Sequence, residues 1–123
     1  MANYCFVAPI LPGGEKAMRE WVKTNIAGNT GHDSVFKAAG ITREQVWIQR
    51  TPMGDFGVVS LELTDPKKGF AHIAASKDPW AGKFREFVQK AHGVDITQAT
   101  PPNEQIADWH AEATAKVAAP TVR

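Results

Sequence analysis

The chain has 123 residues, 43% of them hydrophobic, which is enough for one domain with a real core and too short for two ordinary ones. Fourteen Lys and Arg against thirteen Asp and Glu leave a formal charge of +1, so neither a nucleic-acid footprint nor an acidic solvating tail is indicated. Four tryptophans and six phenylalanines in a chain only 22% charged are many large apolar groups for a small surface, and some are expected in a pocket or a subunit interface.

Tyr4 to Ile10 is rich in aromatic and branched residues and runs into Pro12-Gly13-Gly14, the pattern of a first strand leaving a sheet. The apolar run from Tyr4 to Leu11 is too short for a signal peptide or a membrane span, so no membrane partner is expected. Cys5, the single cysteine, excludes an intrachain disulfide and a cysteine-built metal cluster, reads as a buried packing residue, and suits a reducing cytoplasm. From Glu15, the spacing of Met18, Trp21, Val22 and Ile26 predicts an amphipathic helix ending near Gly28. A polar connector over residues 29–34 and a short helical turn from Val35 to Ala39 follow.

Glu44 to Thr51 and Phe56 to Thr64 alternate as strands around the reversal Pro52-Met53-Gly54-Asp55, which predicts an antiparallel hairpin. Val46, Ile48 and Arg50 point one way, and Trp47, Gln49 and Thr51 the other. Asp65-Pro66 and Asp78-Pro79 each pair an N-cap with a first-turn proline. The first opens a helix to about Ala75, and the second opens one carrying Trp80, Phe84, Phe87, Val88 and Ala91 and closed by Gly93. Val94-Asp95-Ile96 reads as a short final strand, giving the order β-α-β-β-α-β. Ile106, Trp109, Ala113 and Val117 predict a tail helix over residues 103–119. The expected division is a domain over 1–100 and a helical tail over 101–123 that docks on the domain or on a partner subunit.

The run from Gln45 to Phe56, with Leu61-Glu62-Leu63-Thr64-Asp65-Pro66, Ser76-Lys77-Asp78-Pro79-Trp80 and Ala91-His92-Gly93-Val94-Asp95-Ile96, resembles a group of small uncharacterised bacterial proteins of the dimeric α/β-barrel type. The resemblance implies an α+β, ferredoxin-like β-α-β-β-α-β sandwich whose sheets pair face to face in a homodimer, enclosing a cavity in or beside the barrel, with the C-terminal helix as an addition. That superfamily includes cofactor-independent monooxygenases, haem-degrading enzymes, isomerases and dehydratases, so the fold alone selects no chemistry.

His92 ends the strongest helix, where a histidine changes charge near neutrality. It reads either as a catalytic base oriented by Asp95 or as a helix-end residue bonded to the last carbonyls. Trp47, Gln49 and Thr51, with Trp80, read either as the aromatic wall and polar positioning groups of a pocket or as interface anchors. His72, between Ala71 and Ile73, is a further candidate for substrate contact or haem ligation, or a half-buried polar residue. His32 beside Asp33 suggests a lid over a cavity or an exposed loop, and His110 an interfacial or solvent-facing position. Arg50 is either an anion clamp or a surface ion-pair partner. The histidines form no metal-ligand spacing, so no metal and no dedicated cofactor are expected.

The expected function is a small homodimeric enzyme acting on a hydrophobic or aromatic molecule by proton transfer or cofactor-independent oxygen chemistry, with His92 and Asp95 as the catalytic pair. The alternative is a non-catalytic ligand-binding or structural dimer.

Overall fold

Residues 2–98 and 103–112 are described by a computed structural model. Thr51 closes the central hairpin: its Oγ1 donates to the Gly54 carbonyl at 2.6 Å and accepts from the Met53 amide at 3.1 Å. Gly54 itself sits at φ 120°, a conformation that side chains rarely adopt. The turn joins β2 (Ile41–Thr51) to β3 (Gly54–Leu63), and β1 (Ala2–Pro9) pairs antiparallel along the other edge of β3. The strand order is β1-β3-β2.

The register places Tyr4, Leu61 and Glu44 in one row, Phe6, Val59 and Val46 in the next, and Ala8, Gly57 and Ile48 in a third, all on one face. Four helices cover that face: α1 (Gly14–Asn25), α2 (Thr30–Ala38), α3 (Pro66–Ala75) and α4 (Pro79–His92). Their apolar residues Val35, Phe36, Ile73, Trp80 and Ala81 join Tyr4, Ile41, Leu61 and Leu63 in one core. Trp80 stacks on Phe84 at 5.2 Å and meets Phe36 edge-on at 5.6 Å, while Trp21 stacks on Phe87 at 4.8 Å. Such ring pairs contribute about 0.5–1.5 kcal/mol each beyond their burial.

Sequence signals for the helix starts translate directly into hydrogen bonds. Asp65 accepts from the Lys68 amide at 3.1 Å and Asp78 from the Trp80 amide at 2.8 Å, each before a proline. Gly93, left-handed at φ 70°, stops α4 by donating its amide to the Gln89 carbonyl at 2.8 Å.

Several expectations are overturned. Among the described residues the domain is a mixed α/β sandwich of four helices on an open three-stranded sheet, so neither the ferredoxin-like β-α-β-β-α-β order nor a closed barrel is present. The expected fourth strand over residues 94–96 does not form, because Asp95 folds its carboxylate back onto the Thr97 amide at 3.0 Å and hydroxyl at 2.6 Å. That local turn competes with strand pairing. At the outer edge of β1, the Cys5 amide donates to the Asn103 side-chain oxygen at 2.6 Å. Three strands are also far too few to close on themselves. The predicted connector over residues 29–34 is largely the first turn of α2, which Asn29 starts by accepting from the His32 amide at 3.0 Å. Residues 103–110 carry no helix, with Ile106 and Trp109 exposed; the part of the predicted tail helix beyond residue 112 lies outside the described residues. Cys5 is exposed, not packed inside. No helix among the described residues is long and apolar enough to cross a membrane.

Candidate functional site

The end of α4 is clamped to the loop after β1. Leu11 donates its amide to the Ala91 carbonyl at 2.9 Å, and Gly14 lies so close that a Cβ there would stand 2.6 Å from the same oxygen. This junction brings the Pro9 carbonyl to His92 Nδ1 at 2.8 Å. A carbonyl only accepts, so Nδ1 carries the hydrogen and the lone pair of the neutral ring is on Nε2. The ring is buried, edge-on to Phe87 at 5.9 Å, and lies over Gly57, where a Cβ would come within 2.7 Å of His92 Cε1. Nε2 accepts no hydrogen bond, yet no fully buried side-chain nitrogen or oxygen among the described residues lacks a partner. Nε2 is therefore not sealed in the core. The residue lines a hollow between sheet and helices together with Met18, Trp21, Val46, Phe84 and Val88.

This hollow adjoins a second one toward Phe36, Phe70 and Ile96, and the two share Phe6, Glu44, Val59, Phe84 and Val88. Each offers about 50 Å³, room for a few waters or a small organic body. Glu44 is the carboxylate in this apolar setting. Its Oε1 meets His32 Nε2 at 2.8 Å, and His32 Nδ1 meets Asp33 at 2.9 Å. Both ring nitrogens thus face carboxylates. Burial works against the charged ring, but the hydrogen bonds and charges of Glu44 and Asp33 outweigh it and raise the pKa of His32 above the usual histidine value.

The sheet divides the residues expected to form one site. Trp47, 55% exposed, and Gln49 stand on the face that is bare among the described residues, opposite the helices and His92. Thr51 is engaged in the hairpin turn. Asp95 is exposed and bonded to Thr97, which lowers its pKa, so the Pro9 carbonyl and not Asp95 orients His92. Trp80 lies in the core, its indole donating to the Asn25 carbonyl at 3.0 Å, and its ring 5.4 Å from that of His32. His72 is exposed on α3. Arg50 holds Glu15 at 2.7 and 3.0 Å and Asp55 at 2.7 Å, tying α1 to the hairpin and holding the Glu15 carboxyl down at about 2.

Glu44 and Gly57 are the residues that sequence reasoning passed over, and His32, read there as part of a lid or an exposed loop, is instead buried against Glu44. A signal existed for Glu44: it alternates in phase with Val46 and Ile48, so a charge falls on the apolar face. Among the described residues no three His, Cys, Asp or Glu side chains gather to hold a metal ion. The chain matches no protein family, no curated protein and no solved structure, so the likeness to dimeric α/β-barrel proteins is not upheld by comparison or by fold.

Proposed function

We propose that the protein is an enzyme that moves a proton on a small, largely apolar molecule, with His92 as the base. The observation that carries this reading is the single arrangement of its ring: Nδ1 held as donor by a main-chain carbonyl, Nε2 without a partner, beside an apolar hollow. A neutral imidazole fixed in one tautomer has little to reorganise before accepting a proton, which is what general-base catalysis needs. The modest volume favours compact substrates, such as short aldehydes and ketones with an acidic C–H beside the carbonyl. The test is exchange of that hydrogen in D₂O, followed by NMR across such a panel. Acceleration over buffer that falls on the order of 100-fold or more in His92→Gln is expected, in line with the usual contribution of a positioned base. Absence of acceleration, or full retention in the variant, would overturn the reading.

A second reading concerns assembly. The bare face carries Val7 and Trp47, 57% and 55% exposed, in one row with Val58 across the three strands. Large exposed apolar side chains in a contiguous row support pairing of two copies over this face. The lone cysteine, exposed on β1, suits a reducing compartment such as the cytoplasm.

A further inference from the structure

Glu44 sits on the wall shared by the two hollows, with one oxygen committed to His32 and the other accepting no hydrogen bond. No fully buried side-chain oxygen among the described residues is orphaned, so this second oxygen also reaches accessible space. The Asp33–His32–Glu44 chain holds two carboxylates around one imidazole. With that ring protonated, the cluster keeps a net charge of −1 at the edge of an apolar space. We propose that the hollow binds a short alkylamine, its ammonium on the free oxygen of Glu44 and its carbon chain along Phe6, Val59, Phe84 and Val88 toward His92. The proposal rests on the reading that the hollow takes a small apolar molecule and adds that an amino group is recognised at its Glu44 end; a simple alkylamine has no acidic C–H and is a ligand of the hollow, not a substrate of His92.

Three features support an amine over other polar ends. A carboxylate ligand would meet Glu44 as a like charge in a low dielectric, where repulsion is strong. An alcohol can donate to Glu44 but leaves the net charge of the cluster unbalanced, whereas an ammonium supplies both donor and counter-charge. Phe6 and Phe84 present rings to the same space, and aromatic faces attract cations. The length follows from the sheet. Gly57, beneath His92, pairs with Ile48, four residues beyond Glu44 on β2, a backbone span of about 13 Å at ~3.3 Å per residue. The hollows along that span offer about 50 Å³ each, which suits a chain of a few carbons and not a long one.

The experiment titrates the protein with n-butylamine, 1-butanol and butyrate, reading amide and imidazole shifts by NMR. Saturable binding of butylamine at least tenfold tighter than butanol, with butyrate weaker still, is expected. Glu44→Gln, which keeps an acceptor for His32, should lower amine affinity tenfold or more and leave butanol unchanged. Equal binding of amine and alcohol, tighter binding of butyrate, or an amine affinity untouched in a folded Glu44→Gln would each overturn the proposal. The wild-type comparison decides even if the variant does not fold. Amine preference that persists while His92→Gln retains full proton exchange would sink the catalytic reading alone; loss of exchange in His92→Gln without amine preference would sink this one alone.

Discussion

His92 can approach the sheet this closely because residue 57 has no side chain. Gly57→Ala places a methyl within 2.7 Å of His92 Cε1 and 3.1 Å of the Met18 methyl. The imidazole must then move, because β3 is the central strand and cannot retreat. Overpacking of this kind costs about 1–3 kcal/mol. The expected outcome is a lowered urea midpoint together with loss of the protected His92 Nδ1 proton, seen by NMR. An unchanged imidazole spectrum would show that the ring does not depend on the glycine. His32 gives a second expectation at this scale. Asp33 and Glu44 face its two nitrogens, while the neighbouring rings of Phe36 and Trp80 carry no charge. Its folded pKa lies above 6.5, so the stabilisation from the charged ring is complete below that value and fades as pH rises through the folded pKa. Wild type should therefore lose more stability than His32→Gln between pH 6 and pH 9 in chemical denaturation. Equal losses would remove the ion pair from the account of stability.

At the scale of the element, the helices were the most legible part of the chain and the edges of the sheet the least. Asp-Pro before α3 and before α4, and Gly93 after α4, are local chemical signals, and each acts through a hydrogen bond within three or four residues. Asp78→Ala removes the acceptor for the Trp80 amide and is expected to cost about 1 kcal/mol, the usual worth of an N-cap. Thermal unfolding by circular dichroism checks it, and a midpoint equal to wild type would mean that Pro79 alone starts the helix. Residues 94–96 have strand-forming valine and isoleucine, but a strand needs a partner at the right register, whereas Asp95 finds Thr97 two residues away. The start of α2 was hidden for a similar reason: residues 29–34 are polar and look like a loop until Asn29 is seen as a cap.

At the scale of the whole molecule, among the described residues, helices cover one sheet face and none covers the other. A three-stranded face of this length spans on the order of 400 Å² at the usual strand spacing and rise, about half of what each partner buries in a standard interface. Pairing through it should therefore be concentration-dependent. Static light scattering is expected to rise from 13.4 kDa toward twice that mass as concentration increases. Trp47→Lys, on the bare face and outside the core, should hold the lower mass at every concentration. A wild-type mass of 13.4 kDa throughout would dismiss the pairing.

Length, charge and apolar content by themselves pointed to a chain able to bury a core. Periodicity placed the hairpin, the long amphipathic helices and the two strand faces. These properties are local or additive: a cap, a turn or an alternating strand is decided by neighbours a few residues apart. His92 was singled out from sequence because it ends a helix, but its partner is Pro9, 83 residues away, and its place depends on Gly57. Glu44 meets His32 across twelve residues. Which side chains share a hollow, and which are separated by the sheet as Trp47 and Gln49 are from His92, was decided by tertiary packing alone, because a period-2 pattern tells that two faces exist and not what covers each of them.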